Sequence, residues 1–283
     1  MRVAILVPDP AYPEQWGWAY DVEAGVLERA GIAVEARPWT DPGDLAGLDL
    51  VMPLVTWGYH FDPARWHALL DRLERDGVPI ANPVPLLRWN SDKRYLAELG
   101  GRGIAVIPTR LVEALDETAL AEARADFGDT LVIKPPVSAA ADGTHKLGIA
   151  DPIPEAAKGR TMMVQPFLPS VASEGEYSLM LFGGRFSHAI VKRPKSGDYR
   201  VQPHLGGTEQ PCPPPDGAIE LAQAALAAAP ATALYARVDM VRDQTGQLAI
   251  IELELIEPAL WLQHAPDGGA SFGSAVRAAI SQE

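Results

Sequence analysis

Glu252 and Glu254 stand two residues apart in the run Leu248-Ala249-Ile250-Ile251-Glu252-Leu253-Glu254-Leu255-Ile256-Glu257-Pro258. The run reads as a strand, apolar at its start and then alternating. Side chains on a strand point to opposite faces with period two, so the two glutamates share one face and Ile251, Leu253 and Leu255 the other. Paired carboxylates on an apolar strand repel each other and resist burial, which calls for a cation between them. Tyr235 to Val241 and Gln247 to Ile256 read as a hairpin around 242–246. With its turn centred between Gln244 and Thr245, Asp239 faces position 250 and shares the glutamates' face. Asp239, Glu252 and Glu254, with no His or Cys at ligand spacing, form an all-oxygen donor set suited to Mg²⁺ or Mn²⁺ rather than Zn²⁺. A solvated acidic face is the competing reading, and the flanking apolar residues weigh against it.

Mg²⁺ commonly arrives with phosphates. Two lysines could hold them: Lys93 in Trp89-Asn90-Ser91-Asp92-Lys93-Arg94, and Lys134 at the end of the strand 130–135. The loop 138–145 that follows is built of small residues, which let backbone N–H groups approach a phosphate closely. There is no Gly-Lys-Ser/Thr and no Gly-x-Gly-x-x-Gly after a strand, so both common nucleotide signatures are absent.

The elements that must position these groups follow from hydrophobic pattern and punctuation. Strands are expected over 2–8, 32–36, 48–54 and 78–81, with helices over 21–31 and 63–76, which together read as a small α/β domain with a parallel sheet. Asn82-Pro83-Val84-Pro85 marks a boundary. Beyond it come a helix over 85–99, a strand over 104–109, a helix over 118–127, strands over 130–135 and 162–168, and a hairpin of 176–182 with 185–192. The chain closes with a helix over 217–229, the acidic hairpin and a helix over 271–280. Three units are expected, 1–84, 85–165 and 166–283. In a parallel sheet ligands collect at the carboxyl ends of strands, here the polar and aromatic stretches 9–20 and 56–62.

Charge and composition exclude several function classes. The 283 residues carry 24 Lys and Arg against 37 Asp and Glu, a net charge of −13, which argues against nucleic acid or an anionic membrane as partner. The single cysteine, Cys212, permits neither an intrachain disulfide nor a zinc–thiolate cluster. The first apolar run, Val3 to Val7, is too short for a signal-peptide core or a membrane span, so a cytoplasmic location is expected. A small molecule is the expected partner, and self-association into a homo-oligomer remains open.

Taken in order, these segments resemble the ATP-grasp superfamily over essentially the whole chain, and within it the glutathione synthetase and RimK-like branch of carboxylate–amine ligases. The matching pieces are Asn82-Pro83, Asn90-Ser91-Asp92-Lys93, Val132-Ile133-Lys134-Pro135, the loop 138–145, Gln165-Pro166-Phe167-Leu168, Gly175-Glu176-Tyr177-Ser178, Lys192-Arg193-Pro194-Lys195, Gly197-Asp198-Tyr199-Arg200, Asp239 and Glu252-x-Glu254. The resemblance implies an α+β ATP-grasp fold, with an N-terminal parallel-sheet domain and two α+β subdomains clasping ATP. It implies that Lys93 and Lys134 bind phosphates under a loop holding Ser138 and Gly143. Gln165, Phe167 and Leu168 would meet the adenine, and Glu176 the ribose. Asp239, Glu252 and Glu254 would bind metal, Arg193 would face the transferring phosphate, and Arg200 would pair with the substrate carboxylate. Glu254 departs from the family, which commonly has asparagine there. The activity implied is phosphorylation of a small carboxylate, an amino acid or derivative, to an acyl phosphate that an amine then attacks, within one molecule or between two. A non-catalytic ATP-binding module and an acyl-phosphate enzyme with a non-amine acceptor are the alternatives. His60, His188 and His204 are the candidate proton carriers, with His204 the first to test.

Overall fold

The computed structural model describes residues 1–202 and 205–281. Three sheets organise the chain. The first is parallel, ordered β2-β1-β3, with β1 at Arg2–Val7, β2 at Ala33–Pro38 and β3 at Leu50–Met52. Helices α1 (Gly17–Arg29) and α2 (Pro63–Arg75) cover it. On one face Val26 and Leu27 of α1 pack with Ile5 and Met52. On the other, Trp66, Leu70 and Leu73 of α2 pack with Leu6 and Val51. The expected strand at 78–81 shrinks to a single parallel bridge between Val51 and Ile80. Pro79 has no N–H to give a ladder. Helix α1 begins four residues earlier than expected, because Trp16, Ala19 and Tyr20 extend its contact with the core.

The expected helix at 85–99 is two helices, α3 (Val84–Asn90) and α4 (Tyr95–Gly101). Polar side chains break it by competing for backbone groups. Ser91 Oγ donates to the Leu87 carbonyl at 2.7 Å, and Asp92 Oδ1 accepts from the Arg94 amide at 2.9 Å. Lys93 therefore sits in a tight turn, with its own amide bonded to the Pro136 carbonyl at 2.8 Å.

The second sheet is antiparallel, ordered β4-β7-β5-β6, from β4 (Arg110–Val112), β5 (Leu131–Lys134), β6 (His145–Leu147) and β7 (Met162–Pro166). Leu120 and Ala123 of α5 (Glu117–Phe127) close its core with Leu131, Ile133 and Val164. The strand expected at 104–109 is absent as a ladder. Val106 makes one bridge to Ile250, and Pro108 cannot continue it.

A short helix α6 (Ser170–Ser173) leads into the third sheet, also antiparallel, ordered β10-β9-β8-β11-β12. Its strands are β8 (Glu176–Phe182), β9 (Arg185–Arg193), β10 (Thr208–Pro211), β11 (Tyr235–Arg242) and β12 (Leu248–Glu254), with α7 (Ala218–Ala227) and α8 (Ala270–Ile280) packed on it. Asp239 pairs with Glu252, not with position 250, because the register shifts between Asp239 and Met240. Ile251 is the extra residue of that bulge. Ile250 then joins Leu253 and Leu255 in the core, while Ile251 turns to the opposite side with Ala249.

Strand β12 lies at the sheet edge, yet its outer groups are paired. Tyr95 Oη donates to the Leu253 carbonyl at 2.9 Å and accepts from the Leu253 amide at 2.8 Å. Asn90 Nδ2 donates to the same carbonyl at 2.7 Å, and its Oδ1 accepts from the Leu255 amide at 2.8 Å. Tyr95→Phe keeps the ring and strands the buried Leu253 amide. It is expected to destabilise the protein by about 2 kcal/mol, read as a lower urea midpoint at unchanged slope. A midpoint equal to wild type would show that the edge is satisfied by other means.

Candidate active site

A cleft of about 610 Å³ opens where the three sheets meet. Strands β11 and β12 of the third sheet supply its charged wall. Arg237 and Asp239 of β11 share a face by period two, and the bulge in β12 brings Glu252 and Glu254 to the same side. One oxygen from each of Asp239, Glu252 and Glu254 lies within 4.8 Å of the others. Such an all-oxygen set fits a hard divalent cation.

Four cations interleave with these acids. Arg237 Nη2 donates to Asp239 Oδ2 at 2.9 Å and also pairs with Glu254. Lys192 Nζ donates to Asp239 Oδ2 at 3.1 Å and pairs with Glu176. Lys93 Nζ lies 3.2 Å from Glu252 Oε1 and donates to the Ser138 carbonyl. Lys134 is buried at the end of β5, where burial lowers its ammonium to about 8 against the pull of Glu252.

Burial also raises carboxylates, and the outcome depends on each one's partners. For Asp239, Arg237 and Lys192 overcome burial and hold the carboxyl well below its ordinary range. For Glu252, Lys93 and Lys134 overcome it. For Glu254 burial wins over Arg237, helped by Glu252 and Asp239, and the carboxyl rises to about 7. Glu257, one turn beyond the strand, is pushed up to about 8 by burial and then by Glu254.

The structure brings most of the expected residues to this cleft. Lys93, Lys134, Ser138 and Glu176 line it with the three acids, and Gln165, Phe167, Leu168 and Arg200 line its far side. Gln165 Nε2 is spent on Thr109 Oγ1 at 2.8 Å, and Lys146 Nζ sits 3.9 Å over the Phe167 ring. Arg200 is folded onto its neighbour Asp198, with Nη2 donating to Oδ2 at 3.0 Å. Gly143 is outside the lining. At φ +66° it lets the loop close on Pro135, where a Cβ would come within 2.8 Å of Pro135 Cγ. Ala140 and Ala141, also left-handed at φ 52° and 63°, hold the same loop in a strained turn between Lys134 and Gly143.

Arg193 is the exception among the expected cations. It is exposed at the end of β9 and does not line the cleft. Lys192, one residue earlier and so on the opposite face of the strand, points inward instead. Arg237 was missed from the sequence although its spacing to Asp239 was the available signal. Trp261 was missed as well. Lys192 Nζ and Arg237 Cζ stand 5.6 and 5.1 Å from its ring centre. His60 lines the cleft. His188 instead supports the Trp261 turn, with Nε2 3.0 Å and 3.1 Å from the Leu260 and Trp261 carbonyls. His204 lies outside the described residues.

Comparison with known proteins agrees with this arrangement. Residues 4–82 match the family described as the N-terminal domain of D-cycloserine synthetase DcsG. The chain is 32% identical over 267 residues to the cycloserine biosynthesis protein DcsG of Streptomyces lavendulae, covering 87% of this chain and 88% of that one. It is 31% identical over 199 residues to the glutathione synthetase of Prochlorococcus marinus, covering 65% and 62%. The chain belongs to the ATP-grasp carboxylate–amine ligases. The crystal structure of D-cycloserine synthetase DcsG aligns with a TM-score of 0.81 at 27% identity, over 99% of this chain and all of that one. The D-alanine–D-alanine ligase of Bacillus anthracis shares the fold with a TM-score of 0.72 at 16% identity, over 100% and 98%. Ligases of this family use ATP and a divalent metal on small-molecule substrates. No helix among the described residues is long and apolar enough to cross a membrane.

Burial raises the Glu254 carboxyl to about 7, so a metal ion held there would have to displace a proton at lower pH. Metal binding releases protons from such ligands. Mn²⁺ affinity is therefore expected to rise roughly tenfold between about pH 6 and pH 8, with a much flatter profile in Glu254→Gln. Calorimetric titration at the two pH values reads this directly. Equal wild-type affinity at both would show that Glu254 takes no part.

Proposed function

We propose that this ligase uses Mg·ATP to phosphorylate a small carboxylate, an amino acid or derivative, and joins the resulting acyl group to an amine. The observation that carries the reading is the convergence of Lys93, Lys134, Lys192 and Arg237 on the Asp239–Glu252–Glu254 cluster in one cleft. The match to a cycloserine biosynthesis protein over 88% of its length supports ring closure within one substrate molecule as the form of the reaction. A structure of the Bacillus anthracis ligase complexed with ATP shares the fold, with a TM-score of 0.70, which supports the nucleotide assignment. The same reading divides the chain into units 1–84, 85–165 and 166–283, and makes it a cytoplasmic enzyme that needs neither nucleic acid nor membrane.

Lys93 and Lys134 would hold ATP phosphates beneath the 138–145 loop, with Gln165, Phe167 and Leu168 at the adenine and Glu176 at the ribose. Asp239, Glu252 and Glu254 would hold Mg²⁺, which when bound offsets the negative charge of the phosphoryl oxygens. Arg237, buried beside Asp239, takes the place facing the transferring phosphate for which Arg193 is too exposed. A substrate carboxylate oxygen attacks the γ-phosphorus and ADP leaves. Phosphoryl transfer of this kind needs position and charge more than covalent help. The amine nitrogen then attacks the acyl carbon, loses its proton and expels phosphate. Arg200, once released from Asp198, would pair with the carboxylate.

The test is ADP formation with Mg·ATP and a panel of amino acids, with hydroxylamine present to trap the acyl phosphate as a hydroxamate. Glu252→Gln is expected to lower the rate by about 100-fold or more, with its circular dichroism unchanged. ADP formation without hydroxamate would count against the acyl phosphate, and full activity in Glu252→Gln would remove the metal assignment.

A further inference from the structure

Trp261 lines the cleft, yet the chemistry above gives it no task. It follows the acidic strand in the run Pro258-Ala259-Leu260-Trp261-Leu262. Leu260 and Leu262 on either side are buried in the core with α1 and the first sheet, and the indole between them stays at the cleft. The Trp261 backbone is left-handed, φ 42° and ψ 44°, a conformation that a bulky L residue adopts only under constraint. The constraint comes from β9 and from the turn itself. His188 Nε2 lies 3.0 Å from the Leu260 carbonyl oxygen and 3.1 Å from that of Trp261, which also accepts from the His264 amide at 2.8 Å. A glycine would take this turn at no steric cost. What the turn secures is therefore the indole, and strain held in this way by the surroundings is found where a side chain has work to do.

The ring meets two cations of the charged wall. Lys192 Nζ stands 5.6 Å and Arg237 Cζ 5.1 Å from its centre. Both lie within the range of cation–π attraction, which is strongest for tryptophan and for desolvated cations. Lys192 and Arg237 are indeed buried. Their other partners are acids of the cleft, most of them in the metal cluster. Arg237 donates through Nε to Asp239 Oδ1 at 3.0 Å, and through Nη2 to Asp239 and Glu254. Lys192 donates to Asp239 and pairs with Glu176. A divalent cation held by Asp239, Glu252 and Glu254 would draw those oxygens to itself and repel Arg237 and Lys192 at short range. The indole carries no charge and ligates no metal, so its pull on both cations is the same before and after the metal arrives.

We propose that Trp261 is a positioning residue, whose ring holds Arg237, and with it Lys192, at the cleft wall while their carboxylate partners pass to the metal. Arg237 then still faces the transferring phosphate when Asp239 and Glu254 have turned away from it. This rests on the ligase reading above. Trp261 touches no reacting atom on that reading and acts on the rate through the guanidinium. Phosphoryl transfer depends on position and charge, and a cation misplaced by about 1 Å loses much of its effect.

The test replaces Trp261, in the full chain and at that position alone, with tryptophans carrying one, two and three ring fluorines. Fluorine withdraws negative charge from the ring face and leaves its shape nearly unchanged, so a purely structural role gives no trend across the series. With Mg·ATP and the best acid of the hydroxamate panel, kcat is expected to fall stepwise, about tenfold in all, with KM for ATP within about twofold of wild type. A kcat equal across the series overturns the proposal. The melting temperature of the metal-free protein is a readout without turnover. It is expected to fall stepwise as well, by about 2 °C or more in all, because the ring meets both cations before any ligand binds. A flat melting series overturns the contact itself. Absence of hydroxamate from every acid overturns the ligase reading instead, and the melting series then still decides whether the ring holds the cations. Trp261→Phe keeps a weaker aromatic face and is expected to retain a kcat at least about threefold above that of Trp261→Leu. Equal losses in these two variants would show that only bulk matters at this position, and the proposal would fall.

Discussion

The site depends on the pairing of β12 along both of its edges. On one side the strand is laddered to β11, through the bulge that sets Asp239 against Glu252. On the other side it is gripped by Tyr95 and Asn90 and by the backbone of 105–107. An edge strand left open would fray or recruit another strand. Here the clamp comes from the segment that also carries Lys93, between α3 and α4. Fixing the strand and delivering the lysine are one event, so Lys93 meets Glu252 because the helix breaks where its side chains are needed for the strand.

The second constraint is charge balance in a buried volume. Asp239, Glu252, Glu254 and Glu176 are interleaved with Lys93, Lys134, Lys192 and Arg237. Removing one member of such a network leaves an uncompensated buried charge, which costs more than the pair itself gains. Phosphates and a metal bring opposite charges in comparable number. On the proposed reading the lysines and Arg237 turn to phosphate oxygens while the acids turn to the metal, and the balance is kept without water entering. Glu254 is the member closest to neutrality, because burial outweighs its single guanidinium partner. A carboxyl raised to about 7 stands close to its titration point at neutral pH. On the proposed reading it would be neutral when protonated and would add a third charge when a cation is bound.

Much of this was legible in the chain. Period-two spacing put Glu252 and Glu254 on one face, the hairpin brought Asp239 to it, and Lys134 followed from a strand end before a small-residue loop, whereas Lys93 stood in the polar run 89–94. The bulge at Ile251 was not legible, because one extra residue leaves no composition signal while shifting the register of Asp239 from position 250 to Glu252. Alternation also carried information that was not used. Arg237 is two residues before Asp239, and Lys192 rather than Arg193 has the inward phase, which only the sheet order decides. The helix expected over 85–99 failed because pattern reading counts apolar spacing, whereas Ser91 and Asp92 act by capturing backbone groups. Strands β6 and β10 are short and polar, and neighbours make them strands rather than their own sequence.

The two ends of the cleft show why position along a helix matters as much as residue type. α1 exposes Glu28 to solvent, where a carboxylate is ordinary, and turns Glu23 inward, where it is expensive. Both are glutamates on one helix, five residues apart, and five residues advance the helix by 500°, or 140° net. That rotation moves a side chain from the water face to the core face. At the cationic end, Lys192 and Arg237 stand against the ring of Trp261. Trp261 is held in a left-handed turn, φ 42°, by His188 bonding to the carbonyls of Leu260 and Trp261. Burial keeps that imidazole below its ordinary value and therefore neutral, so the turn adds no charge to the cationic end.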